Sequence, residues 1–252
     1  MNPLTLVYTE VLWRPLFNLL VGLTSFTPGH YMWVAIVLVT LVVRLILLPL
    51  SLKQALQTQR NQGKMASLQA ELKRIQKEHQ GNRQKQAEST MALYRKAGVN
   101  PASGCLLLLI QLPILIALYR VFLTEIGPAS AHYLYSFVSL PETINLSFLG
   151  IRLTQPSLVL AIAAGAAQFI QVRFFSPTTP TPALASENDS SAKMMASMQK
   201  NMAYVFPAMT VFISLQLPSA LALYWIVSIA LAMLQQWLFK RTLHLASLPP
   251  TV

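Results

Sequence analysis

The chain has 252 residues, of which 54% are hydrophobic and only 11% charged, where a soluble domain carries roughly 25% charged residues. That balance excludes an ordinary water-soluble enzyme and points to a membrane protein. A net charge of +11 raises the question of nucleic acid, but most basic residues gather in one segment beside the apolar runs, which suits RNA or lipid headgroups and not DNA.

The opening stretch, MNPLTLVYTEVLWRPLFNLLVGL, lacks the basic region and small-residue cleavage site of a secretory signal. Glu10, Arg14, Pro15 and Asn18 interrupt it, while Leu12, Leu16, Leu19, Leu20 and Leu23 recur at helical spacing. Residues 1–30 are therefore expected to form an amphipathic helix lying in the membrane interface, with a further span as the alternative.

Residues 31–52, YMWVAIVLVTLVVRLILLPLSL, are the first span: a bilayer takes about 20 apolar residues. Arg44 stands well inside that run. A charge near mid-membrane costs at least about 2.5–3.5 kcal/mol, and the usual remedy is a carboxylate on a neighbouring helix. All eight acidic residues (Glu10, Glu71, Glu78, Glu88, Glu125, Glu142, Glu187 and Asp189) lie outside the apolar segments. Water, side-chain amides and backbone carbonyls remain as partners, which predicts a wet cavity around Arg44. An arginine snorkelling past Pro49 is the alternative.

Residues 53–100 hold ten of the nineteen Lys and Arg against three Glu. Met65, Leu68, Leu72 and Ile75 form one apolar stripe and Ala87, Met91 and Tyr94 another, with Gly81-Asn82 between, which predicts a basic two-helix hairpin outside the membrane. A solvated linker is the competing reading. Residues 101–252 then hold four further spans, at about 103–123, 154–175, 199–217 and 219–239, and a short tail. Gln111 and Pro113 stand in the second span, Gln168 and Gln171 on the Ala-rich third. The loop 124–153 carries Glu125 and Glu142 against Arg152, and residues 176–192 form a Pro-, Thr- and Ser-rich loop. Pro218-Ser219 forces the fourth and fifth spans into an antiparallel hairpin.

With the N-terminus outside, the inner side holds fifteen of the Lys and Arg: the ten of the hairpin, Arg173, Lys193, Lys200, Lys240 and Arg241. Arg14, Arg120 and Arg152 fall outside. The positive-inside rule favours this orientation, with the C-terminus in the cytoplasm.

Catalytic chemistry finds little support. His30, His79, His132 and His244 are scattered outside the spans, so neither a zinc site nor a Ser-His pair assembles, and no glycine-rich phosphate loop is present. The single Cys105 cannot form an intrachain disulfide, leaving the redox compartment open. Neither an enzyme nor a cofactor is expected. The intramembrane arginine would suit a small anion transporter or channel, though without a membrane Asp, Glu or His such a transporter would not be proton-coupled in the usual way.

Three stretches carry a family resemblance. The run YRKAGVNPASGCLLLLIQLPILIALYRVF at 94–122 holds the pattern Y-x-K-x-G-V-N-P, then G-C and Q-[ML]-P-I; VRLILLPLSLKQ surrounds Arg44; and MQKNMAYVFPAMTVFISLQLPSALALYWIVS occupies 198–228. Together, and in this order, they resemble the YidC/Oxa/Alb membrane protein insertases. The resemblance implies an all-α membrane protein in which five transmembrane helices surround a hydrophilic groove, closed outside and open to the cytosol and to lipid. It implies that new membrane proteins move into the bilayer without nucleotide hydrolysis. By the match, Arg44, Gln111 and Trp225 would form a substrate-binding groove. Gln111 equally suits a bond to a helix backbone, and Trp225 packing or an interfacial anchor. Gln168, Gln171, Met198 and Met202 are candidates for the groove or its entrance, the methionines as an adaptable apolar surface. Where the family often has Asn after the Ser or Gly of the last span, this chain has Ile229. Nascent membrane proteins and the lipid bilayer are the implied partners, with the ribosome and Sec translocon as candidates, in a bacterial cytoplasmic (inner) membrane. A structural chaperone without translocating activity is a further reading.

Overall fold

A computed structural model describes residues 3–99, 106–175 and 204–246. The chain divides into two compact units, one built from 1–46, 112–176 and 201–252, the other from 47–111 and 177–200.

The first unit opens with α1 (Pro3–Tyr8), a π-helical turn at Thr9–Trp13 and α2 (Arg14–Phe26), which together make one helix. Its inward face is Trp13, Leu16, Phe17, Leu20 and Val21. Leu12, Leu19 and Leu23 of the expected leucine stripe stay only partly buried. The aromatic pair Trp13–Phe17, stacked at 5.3 Å, turned the face that leucine spacing alone suggested.

That helix is fastened to the 124–157 connection over most of its length. The Asn18 amide donates to the Tyr133 carbonyl at 3.0 Å and its oxygen accepts from the Tyr135 amide at 2.6 Å. Arg14 Nε donates to the same carbonyl, and Ser25 Oγ donates to the Ser139 carbonyl. A 3-10 turn, Pro128–Tyr133, brings the Tyr133 ring edge-on to Trp13 at 4.8 Å. Further on, β1 (Ser147–Phe148) and β2 (Ile151–Arg152) pair antiparallel around Leu149-Gly150, both at positive φ, the twist a two-residue hairpin loop needs.

Helix α3 (Met32–Ser67) starts against this connection, the Met32 amide donating to the Asn145 carbonyl. The expected end of the span at Leu52 is not a break. Residues 53–67 are mostly Lys, Gln, Ala, Leu and Arg, all good helix formers, so the helix continues for 36 residues in all.

Helices α7 (Leu158–Ile170), α8 (Tyr204–Ser214) and α9 (Ser219–Ala246) complete the unit. Helix α7 passes into a π-helical turn at Gln171–Phe175, and α8 ends three residues short of the expected Leu217. A Cβ on Gly165 would overlap the Val211 side chain and lie 3.2 Å from the Pro207 carbonyl, so glycine lets α7 and α8 approach this closely. Helix α9 starts on loop carbonyls: Ser219 N–H donates to Gln155, Ala220 N–H to Leu153 and Ser219 Oγ to Arg152. Those bonds occupy amide donors that a helix start otherwise leaves orphaned.

In the second unit α4 (Gln69–Glu78) and α5 (Arg83–Lys96) form a helical hairpin. Leu72, Leu93 and Tyr94 are its buried centre, flanked by Leu68 and Ile75. The first expected stripe is therefore right at Leu68, Leu72 and Ile75. The second is shifted: Ala87 and Met91 face solvent, and Ser89 turns inward to bond His79 Nε2 at 3.0 Å. Asn82 caps α5 by accepting the Lys85 amide at 3.0 Å. Gly98, at φ +62°, ends it, with the Val99 amide reaching back to the Tyr94 carbonyl and Gly98 to Arg95, the pairing of a Schellman turn. Lys64 Nζ donates to the Ala97 carbonyl at this same end, where a cation suits the helix dipole. Helix α6 (Leu106–Leu123) carries Pro113 inside it.

Among the described residues, three helical stretches are long and apolar enough to cross a membrane: Thr5–Phe26, Met32–Asn61 and Ser219–Phe239. Shorter apolar helices lie at Gln111–Leu123, Leu158–Phe174 and Tyr204–Ser214. The protein is an all-α membrane protein apart from the small β-hairpin. The first of the three stretches is the one that leucine spacing assigned to the interface.

Candidate functional site

Helical geometry in α3 sets Arg44 one turn beyond Thr40, whose hydroxyl is spent on the Ile36 carbonyl at 2.6 Å. The guanidinium is half-buried and reaches α9. There Nη2 donates to Ser228 Oγ at 2.6 Å and to the Ser228 carbonyl at 2.8 Å, and Nε donates to the same hydroxyl at 3.2 Å. These three bonds tie α3 to α9.

The ion pairs among the described residues are Arg14–Glu10 and Arg74–Glu78, both toward the surface. Arg44 has none. Its partners are a hydroxyl and a backbone carbonyl, the neutral acceptors left once the acidic residues were placed outside the spans. A guanidinium carries five N–H donors; oxygens without charge stabilise it while leaving its net charge intact.

Tyr224, one turn before Ser228 and buried, is close enough to interact with Arg44 electrostatically. Trp225 follows it, half-buried on α9. Arg44, Tyr224 and Ser228 are thus brought together, with Trp225 a neighbour along the helix. Ser228 was missed as a partner because a lone serine in an apolar span reads as neutral. The signal that could have found it was its place four residues after Tyr224, on the same face.

The other candidates distribute differently. Gln168 is buried and its amide donates to Gln171 Oε1 at 3.3 Å, which links the two at the end of α7. Gln111 is half-buried on α6, belongs to the second unit and has an interaction partner of its own. Met198 and Met202 lie outside the described residues. Among the described residues no group of three or more His, Cys, Asp or Glu could hold a metal ion.

A family model described as 60Kd inner membrane protein matches residues 23–246, a range that takes in the arginine-bearing span, the basic hairpin and the Tyr-Trp-Ile-Val-Ser run of α9. The chain belongs to this family, the YidC/Oxa/Alb proteins. A similar protein is the membrane protein insertase YidC of Fusobacterium nucleatum subsp. nucleatum, 35% identical over 208 residues, covering 82% of this chain and 85% of the relative. The YidC of Clostridium perfringens is 32% identical over 240 residues, covering 94% of this chain and 90% of the relative. The YidC of Wolinella succinogenes is 35% identical over 231 residues, which cover 92% of this chain but 37% of that longer relative. As a YidC/Oxa/Alb member with several apolar helices, the chain is a multi-pass membrane protein.

Proposed function

We propose that this protein is a membrane protein insertase that moves newly synthesised membrane proteins from the cytosolic side into the bilayer through a water-filled groove containing Arg44, without nucleotide hydrolysis. The observation that carries the reading is an arginine inside an apolar span that, among the described residues, is held by neutral oxygens of Ser228. Its positive charge stays available to an acidic group on an arriving chain. The relatives named as membrane protein insertases support the same role.

In this reading five helices cross the inner membrane: the α3 segment, α6, α7 with its π turn, α8 and α9. The N-terminal helix lies on the outer surface and the C-terminus is in the cytoplasm. Its bonds to residues 133–139 along α2 support that placement, since a polar connection running beside a spanning helix would itself sit in hydrocarbon. Arg44, Gln111 and Trp225 contribute to the groove, with Gln168, Gln171, Met198 and Met202 toward its entrance. The basic α4–α5 hairpin receives the nascent chain, with the ribosome and Sec translocon as further partners.

Physically, a polar tail must cross about 30 Å of hydrocarbon. Water reaching partway through shortens the dry path, and Arg44 stabilises acidic groups within it. The apolar segment then leaves sideways into lipid. No step breaks a covalent bond, so the protein is not an enzyme.

Purified protein in liposomes should protect the acidic N-tail of a single-span substrate from external protease, and Arg44→Ala should weaken that protection. Flux of a radiolabelled anion that vanishes in Arg44→Ala, with no protected tail in either form, would instead identify an anion channel.

A further inference from the structure

Three large apolar side chains stand almost fully in the open: Phe26 is 88% exposed, Phe137 82% and Leu149 87%. They are far apart in sequence, yet all lie at the end of the first unit where α3 and α9 begin. Phe26 closes α2, a few residues before α3 starts at Met32. Phe137 belongs to the strand of chain held against it, through the Ser25–Ser139 bond and Val138, whose side chain sits 3.8 Å from where a Cβ on Gly22 would be. Leu149 tips the β-hairpin whose Phe148 ring is 5.6 Å from Trp33 and whose Arg152 carbonyl receives the Ser219 hydroxyl.

The starts of two spans therefore fix the level of all three side chains near the edge of the hydrocarbon, where Tyr31 and Trp33 supply the aromatic residues of an interface. The chain also runs on from here into an exposed apolar helix face. Gln155, which caps α9, is followed after a short turn by Leu158, Val159 and Ile162 on the exposed side of α7.

The hairpin tip adds an independent sign. Leu149 has φ +50°, a left-handed conformation in which leucine is strained and Asn, Asp or Gly is at ease. A residue chosen for the turn would not be leucine, whereas a residue chosen to enter an apolar medium would be.

We propose that the end of α2 and the 124–157 connection form a collar seated in the lipid leaflet on the side where α3 and α9 begin, with Phe26, Phe137 and Leu149 inserted as separate wedges. The occupant of this surface is the acyl-chain boundary of the bilayer. Within this collar Arg152 stands against Glu125 and Glu142, so apolar insertion and not positive charge holds it. Seating the collar steadies the starts of both helices that carry Arg44 and Ser228. The inference needs the protein to span a membrane but not to insert substrates.

The test uses the full-length chain with Cys105→Ala, in phosphatidylethanolamine–phosphatidylglycerol nanodiscs. Single cysteines placed by Phe26→Cys, Phe137→Cys and Leu149→Cys carry a nitroxide, and Glu142→Cys serves as the aqueous reference. Immersed wedges favour molecular oxygen over a water-soluble nickel chelate several-fold relative to position 142. Preference for the chelate equal to that at 142 overturns the proposal, and so does shielding from both reagents, which would mean that protein covers these sites. Substrate protection in liposomes, read separately, reports the insertase activity whichever way the collar behaves.

Discussion

The Arg44 guanidinium of α3 and the Ser228 hydroxyl of α9 are 2.6 Å apart, and that contact with the adjacent carbonyl is how a cation is held inside an apolar span without an anion. Ser228→Ala removes the hydroxyl and leaves the carbonyl. A hydrogen bond to a charged group contributes about 1.5–3 kcal/mol, so tail protection of an acidic substrate should fall roughly ten-fold, by the 1.4 kcal/mol per decade rule. Arg44→Ala should reduce it further, while Arg44→Lys keeps most of it because the positive charge remains. Equal loss in Lys and Ala variants would show that the planar guanidinium, and not charge, is what the site requires.

Gly165→Ala tests the α7–α8 seam. The new Cβ would overlap Val211, whose β-branched side chain has little freedom to move, and crowd the Pro207 carbonyl. Thermal unfolding in detergent should shift down by an amount equivalent to about 1–3 kcal/mol. Adding Val211→Ala should recover part of that loss. If the two substitutions were simply additive, the contact would not be what glycine serves there.

The cap of α5 predicts a local effect. Asn82→Ala removes the acceptor for the Lys85 amide, a loss of about 1 kcal/mol. Hydrogen exchange in residues 83–96 of the intact protein should quicken roughly five-fold, while exchange in α9 stays unchanged.

The hairpin should also have a stability window in pH. Burial raises the Tyr94 hydroxyl above its ordinary 10.0. The folded hairpin therefore favours the protonated phenol; the stability this lends is complete below the unfolded value and is lost as pH rises through the folded one. The Arg74 hydrogen bond and charge hold Glu78 below its usual 4.5, so that smaller, exposed contribution is present above the unfolded value and lost as pH falls through the folded one. With the intrinsic base-catalysed rate divided out, protection of residues 69–96 should fall above about pH 10 in the native chain. Tyr94→Phe should flatten the alkaline limb, and an unchanged limb would assign it to another group.

Much of this was legible in the residues themselves. An arginine with every carboxylate outside the expected spans pointed to neutral partners, backbone carbonyls among them, and the Ser228 carbonyl is one, while the Ser228 hydroxyl went unforeseen. The Leu68–Leu72–Ile75 stripe declared its own face by spacing. In α5 the same reasoning failed, because Ser89 goes inward to His79 while Ala87 and Met91 go out; a hydrogen bond overrode hydrophobicity, which a pattern of apolar residues cannot register. The continuity of α3 past Leu52 was hidden for a different reason: leaving the apolar run changes the solvent and not the helix propensity. Long-range bonds such as Asn18 to Tyr133 have no local signature at all.

The way α9 begins bears on what can pass by it. Carbonyl oxygens of Arg152, Leu153 and Gln155 are drawn in around its first turn, and Leu153 is wholly enclosed behind them. A helix start ordinarily attracts anions; this one is already filled, and the oxygens gathered there repel negative charge. An anion drawn to this end of α9 would find the amide donors of its first turn already taken.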